Sequence, residues 1–216
     1  MVRRTKEDAA ATRNALLDAA ERVFYEKGVS RASLGDIAQA AGATRGAIYW
    51  HFKDKVDLFH AMMERVTLPI ESAYGACTAG GGVVGENATP ASLARLRGVV
   101  EGVLRLVASD ERTRRVFEIA LYKVEYVNEL SGVRDRHIAA AEGFVGKLAD
   151  DLRSAAQAQG LVLRMPPRVA ATGMHALFDG LLLGWLLNQG NFDLVAVGRA
   201  TMDAYLAGLG FDLGRV

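Results

Sequence analysis

The chain has almost no cysteine: Cys77 is the only one in 216 residues. No intramolecular disulfide is possible, and a lone thiol read as an incidental small apolar residue fits a reducing cytoplasm. A net charge of either sign is also missing. Lys and Arg number 26 against 25 Asp and Glu, leaving +1 at pH 7. No global basic field exists, so any binding to a polyanion must rest on local placement of charge. The most apolar run, Ala176 to Leu187, is interrupted by Asp179 and falls short of the ~20 residues a bilayer span needs. The opening residues are polar and charged through Arg13, without the apolar region of a signal peptide. These absences predict a soluble, cytoplasmic protein with no membrane partner.

Strand patterning is missing as well. No segment alternates apolar and polar residues as a half-buried strand does, and no internal repeat is visible. The glycines of residues 75–90 lack a preceding strand and any Gly-Lys-Ser/Thr, so they read as a loop and not a phosphate cradle. Catalytic signatures fail similarly. His137, His175, Asp179 and Glu118 are the raw material for an acid–base set or metal site. No His-x-x-x-His or Glu-x-x-His spacing exists, and no nucleophile lies in a recognisable turn. Neither an enzyme nor a cofactor nor a metal is expected.

What is present is helical periodicity in a chain that is 50% hydrophobic and 24% charged, enough for a real core. Its most informative stretch is 33–57. Leu34, Ile37, Ala38 and Ala41 form one apolar stripe on a short helix. Ser33 precedes it as an N-cap, with Asp36 in the capping-box position. Gly42 ends that helix, and Thr44 caps a second whose Ala47, Ile48 and Phe52 face back toward the first. Two short helices on a tight glycine turn describe a helix-turn-helix.

The second helix opens with Arg45 and Gly46 and holds no acid in its first turn, where a helix ordinarily prefers Asp or Glu. An external phosphate would supply the missing charge and leave Arg45 for a base edge. Tyr49, Trp50, His51, Lys53 and Lys55 follow closely. Asp54 then caps a third helix, with Asp57 at the box position.

This pattern resembles the TetR/AcrR family of bacterial repressors, and within it the multidrug-efflux repressors. The resembling residues are Arg3–Glu7, Thr12-Arg13, Leu17–Phe24, Lys27-Gly28-Val29, Asp36-Ile37-Ala38, Ala41-Gly42 and Thr44–Lys55. Looser likeness continues at Arg112–Arg115 and at Phe178–Leu182 with Trp185 and Leu186.

Elsewhere, the basic residues Arg3, Arg4 and Lys6 suit either a DNA-reaching arm or a solvated terminus. Residues 8–28 read as an amphipathic helix stopped by Gly28. The helix from Lys55 runs through Val66, and Pro69 stands where it would bend. Gly75, Gly80, Gly81, Gly82, Gly85 and Pro90 mark a mobile loop. From Ala91 on, every segment reads helical: Leu93–Val107, Val116–Tyr126, Ile138–Leu152 closed by Gly160, Arg168–Asn188 after Pro166-Pro167, and Leu194–Leu209 capped by Asp193. The helix Ala176–Leu187 is apolar nearly all round, so a partner subunit is its expected cover, with Gly173, Gly180 and Gly184 allowing close backbones.

The expectation is an all-α protein. Residues 1–54 would form a three-helix DNA-binding domain, and 55–216 a larger effector-binding and dimerisation domain. Arg45 is expected at a base edge, with Thr44 and Gly46 beside it; Ser33, Tyr49, His51 and Lys55 would hold phosphates. Trp50 either touches the DNA backbone or covers the head's core. The resemblance implies a ligand cavity among the C-terminal helices. Val100, Val103, Phe117 and Leu121 would wall it, unless they are plain core, with Phe178 beside them. His175 and Asp179 would supply hydrogen bonds, unless Asp179 is structural at a dimer interface. The resemblance further implies double-stranded operator DNA as partner, a small hydrophobic effector, a homodimer through the last two helices, and control of an efflux operon. A regulator with a metabolic or signalling ligand, and a helical ligand-binding protein without regulatory DNA binding, are the alternatives. The Arg112–Arg115 cluster reads as a solvated helix face with local ion pairs.

Overall fold

The computed structural model describes residues 6–79, 93–125 and 130–214, with the side chains of 68–79 outside the description. Among the described residues it is all helical: α1 Lys6–Lys27, α2 Leu34–Ala40, α3 Arg45–His51, α4 Lys55–Ala79, α5 Leu93–Ser109, α6 Glu111–Tyr122, α7 Ser131–Gln159, α8 Pro167–Leu187 and α9 Leu194–Leu209. Glycines in the left-handed region follow α1, α7 and α9, at Gly28, Gly160 and Gly210.

The helices fall into two compact units. The first holds Met1–Leu68 with Arg112–His137. Its core joins Leu16, Leu17, Phe24, Ile37, Ile48 and Phe52 to Leu58 and Met62 of α4 and to Val116 and Ile119 of α6, all fully or almost fully buried. The head is therefore larger than the 1–54 expected from the sequence. The physical reason is size: a unit of roughly 50 residues buries too little surface to stand securely. Phe59 of α4 packs tilted on Phe24 of α1 with ring centroids 6.1 Å apart. The end of α6 reaches the turn after α1, where Val29 N–H donates to the Lys123 carbonyl at 2.9 Å.

The second unit holds Pro69–Glu111 and Ile138–Val216. Here α9 packs on both α5 and α8. Gly198 makes the α5 approach possible, since a Cβ there would run into Cδ1 of Leu104. Tyr205 of α9 sits against Gly173 of α8 and donates its hydroxyl to the Ala170 carbonyl at 2.8 Å. Of the three glycines expected to bring backbones together, Gly173 makes room for the Tyr205 side chain, and among the described residues nothing lies within 4 Å of a Cβ placed on Gly180 or Gly184. Arg95 and Arg97 pin α5 to Asp151 of α7 and Asp203 of α9, at 2.5 and 2.6 Å.

Several boundaries differ from the sequence reading. α4 continues unbroken past Pro69 to Ala79, so Gly75 lies in a helix; Gly80, Gly81, Gly82, Gly85 and Pro90 lie outside the described residues. Helical hydrogen bonding, once started, propagates through isolated glycines at modest cost. α6 stops at Tyr122, and Tyr126 lies outside the described residues, as do Arg3 and Arg4; Lys6 is the first residue of α1. α7 begins at Ser131, well before Ile138. α8 begins at Pro167, which makes it 21 residues, long and apolar enough by length and composition to cross a membrane, although Ala176–Leu187 alone is not. Only one face of α8 is buried by its own chain. Met174, Leu182, Trp185 and Leu186 point inward, while Val169, Leu183 and Leu187 remain exposed.

Candidate nucleic-acid interface and effector residues

The interface starts from helix ends. Ser33 has extended backbone and caps α2, its Oγ accepting from Asp36 N–H at 3.1 Å. Asp36 answers by accepting from Ser33 N–H at 3.0 Å and from the Ser33 hydroxyl at 2.7 Å. These bonds, with Lys27 3.2 Å away, hold the Asp36 carboxyl down to about 2. The box is complete. It also engages the Ser33 hydroxyl, which leaves that group little freedom to seek a phosphate.

α2 closes over Gly42 at φ +66°, a conformation that disfavours any side chain. Ala43 N–H then reaches back to the Ala38 carbonyl at 2.9 Å. Thr44 caps α3, accepting from Ala47 N–H at 3.2 Å. Ile48 and Phe52 anchor α3 in the head core, and the Arg13 guanidinium lies 5.3 Å above the Phe52 ring.

With Ile48 inward, Gly46 and Trp50 lie on the opposite side of α3; Thr44 and Arg45 are exposed because they stand at its N-terminal end, and Tyr49 is exposed on its flank. Trp50 is 73% exposed, which answers the question its sequence position leaves open: it does not cover the core. Its indole meets His51 edge-on at 4.5 Å. Arg45 folds back toward the start of α2, where a Cβ on Gly35 would lie 3.3 Å from its Nε. The result is a short helix whose exposed residues include a cation, two aromatics and no acid. Such a surface suits phosphates and base edges.

Lys55 stands differently from the expectation. Its Nζ donates to the Ser30 and Ala32 carbonyls at 2.9 and 3.1 Å. Its first role is to tie the α1–α2 connection to the start of α4. Asp54 caps that helix by accepting from Asp57 N–H at 2.8 Å, and Asp57 accepts from Lys53 N–H at 3.0 Å.

The expected effector residues divide between the units. Phe117 and Leu121 belong to the first, and Val100, Val103, His175, Phe178 and Asp179 to the second. Val100 is buried; Val103 and Phe178 are half-buried. On α8, His175 Nδ1 lies 3.0 Å from Asp179 Oδ2. That hydrogen bond raises the His175 pKa against the opposing effect of burial. Phe144 of α7 meets the His175 ring edge-on at 5.5 Å. Sequence reasoning missed Phe144, because nothing local marks a contact between two separate helices. A cleft of about 470 Å³ lies elsewhere in this unit, lined by Arg153, Ala156, Leu161, Leu163, Arg164 and Pro167 among others, and none of the expected effector residues borders it. Among the described residues no group of three or more His, Cys, Asp or Glu side chains is arranged to hold a metal ion.

The Arg112–Arg115 segment also differs from expectation. Arg112 pairs with Asp18 and Glu21 of α1, far from it in sequence, and Thr113 is buried.

Comparison with known proteins identifies the family. Residues 16–62 match the model of bacterial regulatory proteins, tetR family, and residues 91–211 that of the MAATS-type transcriptional repressor C-terminal region. The HTH-type transcriptional regulator AcrR of Shigella flexneri is 38% identical over 197 residues, 90% of this chain and 87% of that protein. The crystal structure of NalD, the secondary repressor of the MexAB-OprM multidrug efflux pump in Pseudomonas aeruginosa, superposes with TM-score 0.80 at 32% identity, covering 94% of this chain and 97% of NalD. A SmeT–triclosan complex superposes with TM-score 0.76 at 32% identity, covering 92% and 91%. SmeT is the repressor of the Stenotrophomonas maltophilia multidrug efflux pump SmeDEF.

Proposed function

The chain belongs to the tetR family of bacterial regulatory proteins, and from that premise we propose that it is a ligand-responsive repressor of a multidrug efflux operon. The helix-turn-helix within residues 1–54 reads the operator, and helices within 55–216 bind effector and dimerise. The observation that carries the reading is the acid-free surface of α3, with Arg45, Tyr49 and Trp50 exposed and Ile48 buried. Arg45 takes a base edge beside Thr44 and Gly46. Tyr49, Trp50 and His51 hold backbone phosphates. Ser33 and Lys55 contribute mainly by fixing α2, through the capping box and through the Ser30 and Ala32 carbonyls.

The protein acts as a homodimer through α8 and α9. Val169, Leu183 and Leu187 of α8 and Val197 of α9 are apolar and exposed in the single chain, and a second copy removes them from water. Two copies of α3 then enter successive major grooves about 34–36 Å apart. The effector is a hydrophobic or amphipathic small molecule. His175 and Asp179 offer it hydrogen bonds, and Phe178, Val100 and Val103 an apolar wall. Triclosan, bound by SmeT, is a suitable first probe. The ligand must favour the non-binding arrangement of the heads over the DNA-competent one, since equal affinity for both shifts nothing.

Footprinting on the DNA immediately upstream of the protein's own gene tests the reading. Protection of a two-fold symmetric site, lost on adding triclosan or another hydrophobic antimicrobial, is expected. Uniform protection of any duplex would overturn it. Selective protection that no drug relieves would keep a repressor and point to a metabolic or signalling ligand.

A further inference from the structure

The chain passes between the head unit and the second unit at three places: Leu68 to Pro69 in α4, Glu111 to Arg112 in α6, and His137 to Ile138 in α7. An arginine stands beside each crossing, Arg65 within a turn of the first, Arg112 at the second and Arg136 next to the third. All three make ion pairs inside the head.

Arg65 and Arg112 converge on α1. Arg65 Nη1 lies 2.8 Å from Asp18 Oδ1 and 3.1 Å from Glu21 Oε1. Arg112 Nη2 lies 2.7 Å from the same Asp18 oxygen, and its Nε 3.4 Å from Glu21 Oε2. Two cations from separate helices thus share two anions that sit about one turn apart on a third helix. Arg136 extends the chain of charges, holding Glu64, the neighbour of Arg65, at 2.5 Å.

Glu21 is only 2% exposed. Burial pushes its carboxyl above the ordinary range, although Arg112 and Arg65 pull it down. Desolvation outweighs the pairing, so the charge opposes folding as pH rises through its folded value. A buried charge held at a cost to stability calls for a use other than stability, and fixing geometry is one such use. Guanidinium groups give directional, planar contacts that set where each helix sits. Because α2 and α3 pack on α1, whatever fixes α1 also aims α3.

We propose that Asp18, Glu21, Arg65 and Arg112 form a positioning yoke that locks α1, and with it α3, onto the segments by which the second unit is attached. In a dimer this yoke makes the two heads present α3 at one half-site spacing. The inference rests on the repressor reading above.

The test uses the full-length protein, the upstream duplex with half-sites mapped by footprinting, and the same duplex with two base pairs inserted between them. Wild type should lose about tenfold or more in affinity on insertion. Glu21→Gln and Arg112→Gln should each shrink that penalty to about threefold or less. Glu21→Gln should leave the melting temperature unchanged or raise it, since the amide carries no buried charge. Arg112 is half exposed, so its variant secures the test if the Glu21 variant misfolds. A full wild-type spacing penalty in both variants would overturn the yoke, and a fall in melting temperature with that penalty intact would mark the cluster as packing alone. If the wild-type protein failed to distinguish the upstream duplex from a scrambled one, the repressor reading itself would fail, and the yoke with it.

Discussion

Replacing Arg45 by alanine separates recognition from folding. Arg45 is exposed on α3, while Ile48 and Phe52 provide the helix's anchorage. Loss of its side chain should therefore change stability by no more than about 0.5 kcal/mol. Its contribution to binding is larger. A bidentate Arg–guanine contact discriminates against a wrong base by about 1–3 kcal/mol. Two subunits on a symmetric site double this to roughly 2–6 kcal/mol, at least ~30-fold in the ratio of specific to non-specific affinity. Fluorescence anisotropy with the upstream duplex and a scrambled duplex of equal length measures that ratio. Wild type and variant should approach each other on scrambled DNA and separate widely on the specific site. An Arg45→Ala protein that kept the wild-type ratio would remove Arg45 from base readout, whatever its absolute affinity.

Further outcomes follow from other contacts. Lys55→Ala breaks two bonds to the Ser30 and Ala32 carbonyls. It should cost about 1–2 kcal/mol in thermal melts and weaken specific and scrambled DNA alike; a normal melt would deny Lys55 its tie to the α1–α2 connection. Asp179→Asn removes the leading cause of the raised His175 pKa. Stability owed to a raised histidine is present below its unfolded value and lost as pH climbs through the folded one. In the variant, NMR titration should therefore place His175 below its wild-type value, burial having become the dominant influence, and the alkaline loss of stability should shrink. An unmoved His175 titration would contradict the pair. Leu187→Glu changes a side chain that is 67% exposed in the single chain. It should leave helicity intact while sedimentation shows monomers, and an unchanged dimer would move the interface elsewhere.

Contacts within one helix end are legible in the amino-acid sequence alone. Ser33 with Asp36, Gly42 and Thr44 state their roles in adjacent residues, as do Asp193 and Gly210 at the two ends of α9. Capping is short-range, so composition at three or four positions decides it. Part of the exposed surface of α3 is legible for the same reason, because fixing Ile48 inward puts Trp50 outward by helical period, while Arg45 is exposed by standing at the helix start. The tie made by Lys55 is not legible, because its partners are 25 and 23 residues away, in a turn whose approach no local pattern announces. Arg112 reaches Asp18 across 94 residues, and Phe144 meets His175 between two helices. Such pairings depend on how helices stack. The same limit hides the true extent of the head, since only packing shows that α4 and α6 complete its core.

DNA binding that a small molecule releases is the central claim for this protein. The direct measurement is anisotropy of the labelled upstream duplex at a protein concentration that saturates it, titrated with triclosan and other hydrophobic antimicrobials, with a scrambled duplex as control. Selective binding followed by loss of anisotropy on adding drug is the predicted result. Equal binding to both duplexes, or a specific complex that no ligand dissociates, would contradict a drug-released repressor.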